Sequence, residues 1–328
     1  MPLSRHSERM LQQFSERYFM LRLLTITAVT AAIAVPATAQ DLTYGSAQFD
    51  WNHLEVDGDE IDANVLEGDV EFSANQFLFG AELKRQDLDS GGGGGGVFTH
   101  YGAFGAYNVI PEVMIGAGLN GIEFDGTDVN GFEVFAQYTA PQFRVALNHN
   151  RPDNDDEDFY LTTAYVEGQV APAVTLGAVV ETFNDVDEKF YALTAEYDDG
   201  PIFARAFYNS ITDVDGGLFG LRGSYSVTDV VDVTASLERS SQDFISDLTS
   251  YSIGAEYMVS EGLAVGGSIG QLEIGSETAD FIQLGISYEV GERMRLDRKA
   301  SDALRADRSK SIGVIFPDAG IGAGFGLF

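Results

Sequence analysis

The chain has 328 residues, no cysteine and a formal net charge of −32, with 51 Asp and Glu against 19 Lys and Arg. A surface this acidic repels phosphate backbones and sets nucleic-acid binding aside, and the missing cysteines remove disulfides, thiolate metal sites and cysteine nucleophiles. A hydrophobic content of 45% argues against disorder; a mean hydropathy of −0.04 argues against a helical membrane protein, but not against a barrel, which hides its apolar residues in alternation.

Residues 1–19 carry charges without an apolar core, and read either as an extended n-region or as following an early start codon. Residues 20–39 have the three parts of a secretory signal peptide. Arg22 supplies the positive end, Leu23 to Val35 the apolar core, and Ala37-Thr38-Ala39 an A-x-A cleavage box. The apolar run is too short for a membrane span and ends at Pro36. An exported chain starting near Gln40 or Asp41 is therefore expected, with 1–39 as leader.

From there the chain reads as β. Short alternating runs rich in Val, Thr, Tyr and Phe are separated by turn signals, with no long 3.6-residue period before 291. An aromatic recurs at alternate strand ends: Phe72, Tyr107, Tyr138, Tyr165, Tyr197, Tyr225, Tyr257 and Tyr288, with the tyrosines 27–32 residues apart. Between Phe72 and Tyr257 each is followed by a turn such as SANQ, NVIPE or DDGP, so the repeating unit is a hairpin. Phe72 shares parity with Leu66, Gly68 and Val70, and Tyr288 with Ile282, Leu284 and Ile286, whereas the other parity is polar. A soluble β-sandwich explains the alternation but not aromatics at one end of alternate strands. A barrel in lipid explains both, because tyrosine suits the headgroup level.

Sixteen strands are expected, from 43–54 to 280–290. The fold class is thus all-β, a transmembrane antiparallel up-and-down β-barrel over 40–290, with a C-terminal extension over 291–328. The even count puts both barrel ends on the periplasmic side, and sixteen strands enclose an aqueous channel. The aromatic-ended turns are then periplasmic and the other connections extracellular. Those outer connections are acidic, and one contains six glycines at 91–96, expected as a flexible loop tip.

On the signal peptide, the hairpin pattern, the Tyr-ended strands and the acidic loops, the chain resembles the Gram-negative outer-membrane porins, in style the alphaproteobacterial ones. The resemblance implies a sixteen-stranded, often trimeric, passive channel for small hydrophilic solutes and ions, set among outer-membrane lipid and lipopolysaccharide. Two departures stand out. The longest connections are about ten residues, so the sequence does not identify a loop that folds inward as a constriction. The chain also continues for 38 residues past Val290, so the assembly signal is either Gly285–Val290 or the segment ending at Phe328.

Residues 41–290 hold 44 acidic and 8 basic residues. Acidic residues with inward parity are Asp50, Glu67, Asp69, Glu71, Glu82, Glu133, Glu181, Glu196, Asp232, Glu238 and Glu256; inward bases are Lys84, Arg144, Arg205 and Arg222. These are the candidate pore-lining residues, and their balance predicts weak cation selectivity. A solvated acidic wall, as in proteins of saline habitats, explains the same charges. Two acidic stretches are candidate weak Ca²⁺ sites, Asp57, Asp59 and Asp62, and Asp153, Asp155, Asp156 and Asp158; solvated loops are the favoured account of them, and no other cofactor is expected. The tail segment GERMRLDRKASDALRADRSKS carries seven Lys and Arg against four acids. It reads as a short helix, lying in the periplasm or entering the acidic lumen as a partial plug. His53, His100 and His149 lie in no nucleophile motif, so no enzyme is expected. The remaining alternative is a non-channel structural or adhesive barrel.

Overall fold

A computed structural model describes residues 41–56, 59–90, 94–124, 127–153, 160–184, 187–212, 215–241 and 248–296. The leader expected over 1–39 and the tail beyond residue 296 lie outside the described residues. The barrel lies in the second of the chain's two units, Leu42–Phe328, with its first strand beginning at Asp41.

The alternating runs form sixteen strands: β1 (Asp41–Val56), β2 (Asp59–Ala74), β3 (Phe77–Ser90), β4 (Gly94–Ile110), β5 (Val113–Phe124), β6 (Thr127–Thr139), β7 (Phe143–Asp153), β8 (Leu161–Ala171), β9 (Val174–Phe183), β10 (Lys189–Asp199), β11 (Ile202–Ile211), β12 (Leu218–Thr228), β13 (Val231–Ser240), β14 (Leu248–Ser260), β15 (Leu263–Ile274) and β16 (Glu277–Gly291). Each pairs antiparallel with its neighbours in sequence, and β1 pairs with β16, from Tyr44 opposite Gly291 to Glu55 opposite Asp280. The sheet therefore closes with no free edge. In lipid this closure satisfies every backbone polar group that water would otherwise serve. A two-sheet sandwich is ruled out by it.

The seven connections at the end nearest Asp41 and Gly291 have two or three residues. Pro111, Pro141, Pro172 and Pro201 sit in four of them, where a fixed φ and a missing N–H are harmless. Asn75, Gly200 and Gly262 adopt positive φ (57°, 62° and 76°), as tight reversals require. Register shifts at Asn108/Ile110, Gln169/Ala171, Ser226/Thr228 and Met258/Ser260 place bulges just before four of these turns. At the other end the connections span at most seven residues. They are shorter than expected because the ladders continue into the acidic segments. Gly94, Gly95 and Gly96, expected in a loop tip, instead pair with Ser90, Asp89 and Leu88.

The two faces of the wall differ as alternation requires. Outside, large apolar side chains stand exposed, among them Leu119 (67%), Ile269 (61%) and Ile253 (58%). Inside, rings lie across glycines of the neighbouring strand. Gly80 faces Phe104, Gly116 faces Phe135, Gly220 faces Phe207 and Gly270 faces Phe281. A Cβ on any of these glycines would run into the opposing ring, so glycine is what lets the ring lie flat on the wall. Gly220→Val is accordingly expected to cost about 1–3 kcal/mol through overpacking against Phe207. Gly223→Ala, whose Cβ would meet only the Phe203 carbonyl at 3.5 Å, should be neutral. Urea midpoints for folding into lipid vesicles check the pair.

Candidate functional site in the barrel lumen

Register places one set of charges on the inner wall. Asp50, Glu71, Glu133, Glu238 and Arg222 are buried; Glu67, Asp69, Glu82, Lys84, Arg144, Glu181, Glu196, Arg205, Asp232 and Glu256 are half-buried on the same face. Many of these acids and bases meet each other. Lys84 pairs with Glu67 and Arg144 with Glu167. Arg205 and Arg222 lie directly opposite on β11 and β12. That like-charge contact is offset by Glu196, 3.5 Å from Arg205, and Glu238, 3.8 Å from Arg222. Asp232 faces Glu256 across the β13–β14 ladder, and Asp50 lies among Gln48 and Asn52 on β1.

Tyr107, Tyr138, Tyr197, Tyr225 and Tyr257 stand exposed on the outer face, at 37–54%, with Phe72 and Tyr288 half-buried on that side. Tyr165 does not belong with them. It is 5% exposed, lies opposite inward Ala146, and donates its hydroxyl to Glu167 at 2.6 Å. On β8 the outward positions are Ala164 and Val166, and Tyr165 shares parity with Thr163 and Glu167. The physical reason is its polar tip: beside a carboxylate on a wet wall, the hydroxyl has a partner that lipid would deny it.

The tail supplies the central feature of the lumen. After Gly291 (φ 79°) the chain turns inward as an irregular segment, not the start of a helix. The Glu292 N–H bonds the Thr43 carbonyl at 2.8 Å, fixing the departure point at the β1–β16 seam. Arg293 pairs with Asp69 at 2.9 Å, and its guanidinium lies 4.9 Å from the Tyr44 ring centre. Glu71, 1% exposed, accepts the N–H of Met294 at 2.6 Å and of Arg295 at 3.3 Å. Gln137 accepts the Leu296 N–H at 2.8 Å and donates to the Met294 carbonyl at 3.0 Å, so one side chain acts as a strand partner for the segment.

Arg295 is fully buried. It meets Glu133 at 2.7 Å, and its guanidinium lies over Phe135 at 3.9 Å and Phe104 at 4.6 Å. Those rings meet edge to face at 5.8 Å, held flat by Gly80 and Gly116. Leu296, 1% exposed, packs with Ala146, Tyr165, Val179 and Ala192. Residues 293–296 thus touch β2, β6 and β7 to β10, which stand on different sides of the barrel. Four extended residues reach at most ~14 Å, and side chains from both walls complete the crossing.

Reasoning from sequence missed Tyr44, Phe104, Phe135 and Gln137. The available signal was that these aromatics share parity with the polar face, which a lipid-facing girdle does not explain. Among the described residues, no group of three or more His, Asp or Glu is placed to hold a metal ion. Asp62 shares a hydrogen bond with His53 Nδ1 at 2.9 Å. Asp57, Asp155, Asp156 and Asp158 lie outside the described residues, and nothing is described of the Asp59 and Asp153 side chains.

Comparison with known proteins agrees with this architecture. Two engineered forms of Rhodopseudomonas blastica porin align with probability 1.00 and TM-score 0.51, at 16% and 17% identity, covering 76% of this chain and 100% of theirs. Such identity speaks for the fold alone. No curated protein matches. A family model described as Gram-negative porin matches residues 122–300, more than half of the chain. With the closed sixteen-strand barrel and the charged lumen it encloses, that match makes the chain a member of the Gram-negative porin family.

Proposed function

We infer that this porin favours small hydrophilic cations over anions. As a Gram-negative porin it is a channel of the bacterial outer membrane, passing small solutes and ions through a barrel set in lipid. The observation that supports a sign of selectivity is the inner wall. Inward acidic residues on the strands outnumber the four inward bases, and the like-charged Asp232 and Glu256 are cross-strand neighbours. Fixed charges of one sign along a narrow wet path raise the local concentration of the opposite ion. Arg293 and Arg295 cancel part of this excess, which makes the preference weak. A homotrimer is the assembly that fits the reading.

Under a potassium chloride gradient across a planar bilayer, the reversal potential should carry the cation-selective sign. The double change Asp232→Asn and Glu256→Gln should move it toward zero. A wild-type potential of the anion-selective sign would overturn the inference. Absence of any conductance would favour a structural or adhesive barrel instead. Cross-linking in lipid should trap three chains together.

A further inference from the structure

The longest connection between strands is seven residues, and among the described residues no connection folds inward to narrow the channel. Its own chain does so. We propose that the inner wall of Glu71, Glu133, Gln137, Phe104 and Phe135 is a recognition site for guanidinium-bearing solutes, filled in cis by Arg295, so that residues 292–296 form a tethered plug. This rests on the porin reading and adds a ligand class and a regulatory state to it.

The site is built rather than incidental. A guanidinium favours a carboxylate close beside it and aromatic faces above it. Glu133 supplies the first at 2.7 Å, and Phe135 and Phe104 supply the second at 3.9 and 4.6 Å. Glu133 is itself held by the Asn148 amide at 2.9 Å. The backbone of the occupant is read as well, through Glu71 and Gln137. These are contacts that any short peptide or amino acid offers. The requirements extend into the wall, since Gly80 and Gly116 leave room for rings that a Cβ would displace. A surface meant only to stay wet has no use for two inward phenylalanines beside a buried carboxylate.

The plug is also reversible in kind. Its hold is a few charge-assisted bonds and one buried leucine, and nothing covalent fixes it across the lumen. Being tethered, it keeps an effective concentration on the order of millimolar at its site. Free arginine therefore competes poorly with it in the intact chain, and binds the vacated site at much lower concentration once the tail guanidiniums are gone.

The test uses the full chain in planar bilayers beside two variants, Arg293→Gln/Arg295→Gln and a deletion of residues 292–328. The point variant guards against loss of an assembly signal in the deletion. Single-channel conductance is expected to rise severalfold in both variants. L-arginine should then block the point variant in a concentration-dependent way, and L-glutamate should not. The block depends on the aromatic cradle, so adding Phe135→Ala to the point variant should abolish it. Equal conductance in wild type and point variant, with no arginine block in either, would overturn the plug while leaving the porin intact. No conductance in any of the three proteins would overturn the porin reading itself.

Discussion

Ile253→Arg is expected to destabilise the folded barrel by about 2–4 kcal/mol, whereas Ser252→Arg, one residue away, should change it little. Ile253 is 58% exposed near the middle of β14, between Ala235 and Ile269 on the outer face. A guanidinium there faces hydrocarbon and must bend the bilayer or reach for the interface. Ser252 points the other way and shares a hydrogen bond with Ser236 at 2.7 Å. A guanidinium there meets water and an acidic wall. At 1.4 kcal/mol per tenfold, the outer substitution shifts the folding equilibrium by roughly 30- to 1,000-fold. Urea titrations of folding into vesicles read it directly. Equal losses for the two variants would contradict the assignment of faces.

Glu133→Leu should release the tail. Removing one member of a buried ion pair leaves the other charge uncompensated, at a cost of roughly 3–5 kcal/mol. Arg295 is fully buried, so the penalty falls on its docking. The barrel escapes the cost by letting residues 292–296 leave, because its ladders do not depend on them. Trypsin then gains access to the bond after Arg293, protected in the wild type. Adding Arg295→Met should restore protection, since an apolar chain between Phe104, Phe135 and the introduced leucine has no charge to bury. Such a cycle separates the pair from its neighbours. Cleavage at Arg293 in all three proteins, or in none, would show that the ion pair does not hold the segment.

The barrel is readable in the sequence because two-residue alternation repeats sixteen times, and each repeat carries the same information about inside and outside. Glu71 and Asp232 are assigned inward by neighbours two residues away. Strand ends are less readable. The acidic runs look like loops by composition, yet Asp62 and Asp89 are ladder partners on β2 and β3. Tyr165 misleads because its spacing along the chain fits the girdle, whereas the parity it shares with Thr163 and Glu167 does not. The cradle for the tail is hidden for a different reason. Its parts are separated by scores of residues, and pattern along one strand says nothing of what crosses to it from another. That Arg295 seeks Glu133 is a property of closure, and only the inward phenylalanines hint at it.

The seam between β1 and β16 gives the plug a place in time. It joins Tyr44 to Gly291, and contacts so far apart in sequence are slow because chain entropy is lost before they reward it. Only when that seam is made does Glu292 reach Thr43, which aims Met294 and Leu296 at Glu71 and Gln137. Residues 293–296 therefore settle after the seam has closed. An occupied cradle is in this sense a certificate of completion: the chain seals itself only after it has become a barrel.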